Sequence, residues 1–168
     1  MKHFLLSLCL MSAAMGSSGL LYSENVLKNE KSANQSSRIM VQELKLTQEW
    51  DKVFPQSEKV SHSKVTFHNR YGITLAADLY VPKGVEGRLP AIAVCGPFGA
   101  VKEQSSGLYA QTLAERGFLT IAFDPSYTGE SGGEPRYVAS PDINTEDFCA
   151  AVDYLSSRAD VDAESIGI

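Results

Sequence analysis

The stretch Ala91-Ile92-Ala93-Val94-Cys95 runs without a polar interruption into Gly96-Pro97-Phe98-Gly99. Five consecutive apolar residues are too few for a helix and lack the alternation of a half-exposed strand. They read as a strand covered on both faces, as parallel sheets contain. The glycines and the proline end it. A helix is expected from about Gln104 to Arg116, with Tyr109 and Leu113 four apart and Gly117 as its stop. Leu119 to Phe123 is the next buried strand, ending at Asp124, and a loop of Gly, Ser, Tyr and Pro runs to Asp142.

On the N-terminal side, Val65 and Phe67 alternate with polar neighbours, Arg70-Tyr71-Gly72 makes a turn, and Ile73, Leu75, Ala77, Leu79 and Val81 alternate again. That is a β-hairpin with one buried face. On the C-terminal side, Asn144 can cap a helix with Asp147 in the reciprocal position, and Phe148, Val152 and Leu155 share one face. Ser165-Ile166-Gly167-Ile168 reads as the opening of one more buried strand. The fold class is therefore α/β: an antiparallel hairpin followed by parallel strands with flanking helices.

The chain has 168 residues, 43% hydrophobic and 21% charged, with a formal net charge of -5. An acidic balance without a basic stripe argues against nucleic acid as a partner. Met1-Lys2-His3, the apolar run Phe4 to Met15 and the small residues Gly16 to Gly19 have the three-part layout of a secretory signal peptide. Residues 1–22 are assigned to it, with cleavage near Ser18 or a few residues later. The apolar run is shorter than the roughly 20 residues of a spanning helix, so no stable membrane span is expected after its removal. The expected location is secreted or periplasmic. Residues 23–60 form a polar leader in which Leu44, Trp50 and Val53 leave room for a short helix before Pro55, and 61–168 form the folded portion. With Cys9 lost alongside the signal, Cys95 and Cys149 are expected as two free core thiols.

Gly96-Pro97-Phe98-Gly99-Ala100-Val101-Lys102-Glu103-Gln104 after one strand and Asp124-Pro125-Ser126-Tyr127-Thr128-Gly129-Glu130-Ser131-Gly132 after the next together resemble the α/β-hydrolase fold. The likeness is strongest to its branch of secreted proteins similar to dienelactone hydrolases and Xaa-Pro dipeptidyl-peptidase-like domains. Glu49 to Pro55 and Asn69 to Tyr80 share it, so it extends over about Glu49 to Ile168. The resemblance implies that the third strand lies between the fourth and fifth. It also implies a nucleophile, Ser or Cys, on a sharp turn after the strand at Ile166, then an acid and a His. The chain would be the N-terminal half of such a sheet, truncated before the nucleophile elbow, with an unpaired apolar edge.

What the resemblance implies within these residues is one half of an oxyanion hole. Backbone N–H groups there stabilise the negative charge that acyl transfer builds on the carbonyl oxygen. One donor comes from the loop after the third strand, here Gly96 to Ala100. Pro97 has no N–H. Phe98 is the first choice and Gly99 the second.

Other motifs fail on context. Gly129-Glu130-Ser131-Gly132-Gly133 satisfies G-x-S-x-G, but Pro125 to Thr128 separate it from the strand and no helix follows directly. Ser131 is therefore expected to shape the loop. His62 and His68 are expected as solvated surface side chains. Gly96 to Lys102 misses the phosphate-loop pattern at Val101 and Glu103. Asp124, Glu130, Glu134 and Asp142 match no calcium loop and are expected in a solvated loop. No metal and no cofactor is expected. The expected function is a secreted hydrolase acting on a small-molecule ester, lactone or peptide-like acyl bond by nucleophilic catalysis, here incomplete and inactive by itself. The alternative is a non-catalytic exported binding module.

Overall fold

The structure, a computed structural model, describes residues 42–168. The assigned signal peptide (1–22), the first half of the leader (23–41), Cys9 and His3 lie outside the described residues. Strands β1 (Val60–His68) and β2 (Thr74–Pro82) form the hairpin that the alternation predicts, in register from Val60↔Pro82 to His68↔Thr74. Asn69 organises its turn: the side-chain Oδ1 accepts the N–H groups of Tyr71 and Ile73, each at 3.0 Å. Then come β3 (Leu89–Cys95), α1 (Ser105–Ala114), β4 (Leu119–Phe123), α2 (Pro141–Ser156) and β5 (Val161–Gly167).

The five strands make one mixed sheet in the order β1-β2-β4-β3-β5. The β1–β2 and β2–β4 pairs are antiparallel, and β3 lies parallel to both β4 and β5. The third strand thus sits between the fourth and fifth, as the resemblance implies. A hydrophobic cluster on one face joins Leu75, Ala77 and Leu79 of β2 and Leu119, Ile121 and Phe123 of β4 to Ala150, Ala151 and Leu155 of α2. On the other face, Tyr80 and Ala122 meet Ala110 and Ala114 of α1, with Trp50 packed against them. Each fully buried Leu, Ile or Phe contributes about 1.5–3 kcal/mol. Among the described residues, no helix is long and apolar enough to cross a membrane.

The structure departs from the sequence reading in five places. Strand β2 is buried on both faces from Thr74 to Tyr80, because it lies between β1 and β4 and is covered on both sides. The buried face of α1 is Ser106, Gly107, Ala110, Gln111 and Ala114, not Tyr109, which is 59% exposed. Small residues win here because the helix lies so close. A Cβ on Gly107 would come within 2.2 Å of the Lys102 carbonyl oxygen. Helix α2 starts at Pro141, whose fixed φ suits the first helical position, with Ser140 as N-cap. Asp147 is consequently an interior residue of the helix and not a capping partner. Strand β5 starts at Val161, ahead of the expected Ser165. Residues 42–59 contain no helix; they form an irregular strap.

Candidate active site

The loop from Gly96 to Gln104 leaves the carboxyl end of β3, where open α/β sheets bind their ligands. Within it, the Ala100 N–H donates to the Pro97 carbonyl at 3.0 Å, which closes a tight turn around Phe98 and Gly99. Phe98 is 77% exposed, and neither its N–H nor that of Gly99 donates to any described residue. The two residues border a cavity of about 110 Å³. Its walls include Cys95 and Gly96 from the end of β3, Phe123 from β4, Val138 from the following loop and Phe148 from α2. An apolar hollow beside two unengaged N–H groups can hold the carbon skeleton of a substrate next to a carbonyl oxygen.

Cys95, at the cavity wall, is not activated as a nucleophile. Burial, then the Asp124 and Asp147 charges, push its thiol up to about 12, so it carries no thiolate near neutrality. Both cysteines are free as expected, but Cys149 is exposed on α2 and does not belong to the core. Ser131 sits where the sequence reading puts it, in the loop after β4. Its Oγ donates to the Asp124 carbonyl at 2.7 Å and accepts the Ala76 N–H at 2.8 Å. Both hydroxyl roles are spent on backbone, and no histidine touches it among the described residues.

The histidine expectation holds for His68, which is exposed, and fails for His62, whose side chain is 12% exposed. His62 Nε2 lies 2.8 Å from Asp78 Oδ1, and its ring packs edge-on against Trp50 and tilted against Tyr80. The strap covers that face: Trp50 Nε1 donates to the Phe54 carbonyl at 2.8 Å, and Lys52 Nζ reaches Asp78 Oδ1 at 2.8 Å.

The acidic loop residues divide in the same way. Glu134 and Asp142 are exposed, but Asp124 is fully buried at the end of β4. Asp124 Oδ1 accepts the Lys102 N–H at 2.8 Å, and Oδ2 accepts the Glu130 N–H at 2.9 Å and Lys102 Nζ at 2.9 Å. Lys102 Nζ also donates to Glu130 Oε2 at 2.7 Å and to Glu103. Lys64 Nζ shares Glu130 Oε2 at 2.7 Å and reaches Asp51 Oδ2 at 2.7 Å. Burial alone would lower the Lys102 pKa, but the Asp124 charge and the carboxylate hydrogen bonds hold it above the ordinary lysine value. The carboxylates of Asp51, Glu103 and Glu130 lie close enough together to suggest a cation, yet the ammonium groups of Lys52, Lys64 and Lys102 already pair with them.

A second polar knot fixes the base of the loop after β4. Asp147 accepts the Ser126 N–H at 2.7 Å, the Ser126 Oγ–H at 2.8 Å and the Asn69 Nδ2–H at 2.9 Å. Sequence reasoning missed both knots, because a single buried Lys or Asp in a polar loop has the same signature as a solvated one.

The X-Pro dipeptidyl-peptidase (S15 family) model matches residues 71–168. The chain belongs to this family. Within the S15 frame, the chain is 75% identical over 127 residues to an uncharacterized protein of Pseudomonas aeruginosa, covering 75% of this chain and 34% of the relative. The crystal structure of that relative superposes with a TM-score of 0.73, covering 75% of this chain and 40% of the other. A thiohydrolase of Aspergillus aculeatus is 33% identical over 67% of this chain and 34% of its own length. The α/β hydrolase GrgF of a Penicillium species matches with a TM-score of 0.57 at 28% identity, over 64% of this chain and 37% of that one. The chain thus spans about a third of the length of the curated relatives it matches. Its sheet is the corresponding part of an α/β-hydrolase sheet.

Proposed function

We propose that the chain supplies the N-terminal sheet and one oxyanion donor of an exported hydrolase acting on an ester, lactone or peptide-like acyl bond. The observation that carries this reading is the pair of unengaged N–H groups at Phe98 and Gly99 beside the apolar cavity. Preorganised amides in a water-poor hollow contribute several kcal/mol once negative charge develops on the bound carbonyl oxygen. The thiohydrolase among the relatives extends the candidate bonds to thioesters. The apolar start at Phe4 to Met15 supports export to the periplasm or the medium.

Three candidate side chains are otherwise occupied, which supports a nucleophile and base outside the described residues: Ser131 is engaged by backbone, burial holds the Cys95 thiol protonated and His62 is engaged by Asp78. The 168 residues alone are therefore proposed to be inactive. The test compares p-nitrophenyl ester turnover by the 168-residue chain and by the product of the gene read through codon 168. Turnover by the longer product alone, reduced about 10²–10³-fold by Phe98→Pro, is the expected result. Turnover by the short chain that disappears in Ser131→Ala would overturn it. The lack of a nucleophile–base pair among the described residues also favours the second reading, a binding module. That reading predicts small-ester binding without turnover from either product.

A further inference from the structure

We propose that Lys102 is the positioning residue of the oxyanion-side loop: its buried ammonium, shared by Asp124, Glu130 and Glu103, holds Phe98 and Gly99 at the edge of the cavity. The proposal rests on the reading of that loop as an oxyanion donor and adds the device that keeps it in place.

Four observations converge. Between Gly96 and Val101 the loop is held mainly by its own turn, Ala100 N–H to Pro97 carbonyl, which fixes its shape and not its place on the sheet. Lys102 ties it to the neighbouring loop twice, through its backbone N–H on Asp124 Oδ1 and its ammonium on Asp124 Oδ2 and Glu130 Oε2. The same Asp124 carboxylate accepts the Glu130 N–H, so one group sets the separation of the two loops that flank the cavity. Glycine at 129 makes this possible: at φ +54° its missing side chain leaves room for Asp124 Oδ2, which a Cβ would meet at 2.2 Å.

Lys102 is fully buried, and so is Asp124. Desolvating an ammonium costs several kcal/mol, and an apolar side chain of similar length would fill the same space more cheaply. A buried ion cluster is thus poor evidence for stability and better evidence for a demand on geometry. The charges also extend outward. Lys64 bridges Glu130 to Asp51 of the strap, and the strap's Thr47 N–H donates to Glu130 Oε1 at 3.2 Å. The group that clamps the loop is therefore itself held from two sides.

The test is ¹⁵N relaxation of the 168-residue chain and its Lys102→Met variant, which keeps the stem and removes the charge. In the unsubstituted chain, Phe98 and Gly99 are expected near the ~0.85 order parameter of rigid backbone; in the variant they should fall below ~0.6 while Leu119 to Phe123 stay rigid. A loop that keeps its order in folded Lys102→Met overturns the proposal, as does a loop already mobile in the parent. If Lys102→Met does not fold, Glu130→Gln removes one partner with little change of shape. It should loosen residues 97–101 alone, and an unchanged loop would count against the clamp. In any longer product read through codon 168, loss of the clamp should lower kcat with KM nearly unchanged. A released loop combined with a silent Phe98→Pro would sink the oxyanion reading and leave the clamp standing.

Discussion

Ser131 and Ala76 are far apart in the chain and joined in the structure: the serine Oγ accepts the alanine N–H at 2.8 Å while donating to the Asp124 carbonyl at 2.7 Å. The hydroxyl acts as a bracket between β2 and the loop after β4. Ser131→Ala leaves a buried N–H without a partner and should cost about 1–3 kcal/mol, read as a lower denaturant midpoint. Ester turnover by the longer product should be unaffected per folded molecule.

Acid should loosen the strap. Against desolvation, hydrogen bonds from Lys52 and Lys64 bring Asp51 down from 3.8 to about 2. Its folded-state pKa lies below the unfolded one, so its contribution is complete above about pH 4. That contribution is lost as pH falls from about 4 to about 2. Melting temperature against pH should show this acid limb, and Asp51→Asn should flatten it.

The two cysteines of the described residues should differ in reactivity. Cys149 is exposed, whereas Cys95 is half-buried with its thiol near 12. Brief iodoacetamide treatment at pH 8 followed by peptide mapping should label Cys149 first and leave Cys95 largely unmodified. Equal labelling would mean that the β3 end opens readily.

Gly129→Ala combines a left-handed backbone with a collision against Asp124 Oδ2. A loss of about 2–4 kcal/mol is expected, measured by urea unfolding. A neutral outcome would show that the carboxylate can retreat, and that the two loops are less firmly spaced than their hydrogen bonds indicate.

Trp50 is the apolar anchor of the strap, edge-on to both Phe54 and His62. Trp50→Ala should cost about 2–3 kcal/mol, below the roughly 3–5 of a fully buried aromatic because part of the ring is exposed. Loss of protection against proteolysis at residues 42–55 should accompany it.

The backbone of this fold was legible wherever apolar residues carry a period. β3 contains the continuous apolar run Ala91 to Cys95, β4 spans the expected Leu119 to Phe123, and the hairpin registers around Arg70-Tyr71-Gly72 as alternation demands. Reading fails where tertiary neighbours decide. Asp78 and Tyr80 look solvent-facing in an alternating strand, yet β2 is covered on both faces by what packs there. Gly107 and Ala110 carry little hydrophobic signal, but their smallness is what seats α1. The candidate oxyanion loop could be found from its glycines and its place after a buried strand. Lys102, Asp124 and Asp147 could not, since only coordinates distinguish a buried charge from a solvated one.

The strap has a practical corollary for anyone trimming this protein. A clone begun at Val60, where the first strand opens, would discard the counter-charges that Asp78 and Lys64 receive from Lys52 and Asp51. It would also strip the Gln42 carbonyl from the Thr74 hydroxyl. Such a product would enter the test tube with stranded ions and a bared aromatic face, so the workable cloning start lies at or before residue 42.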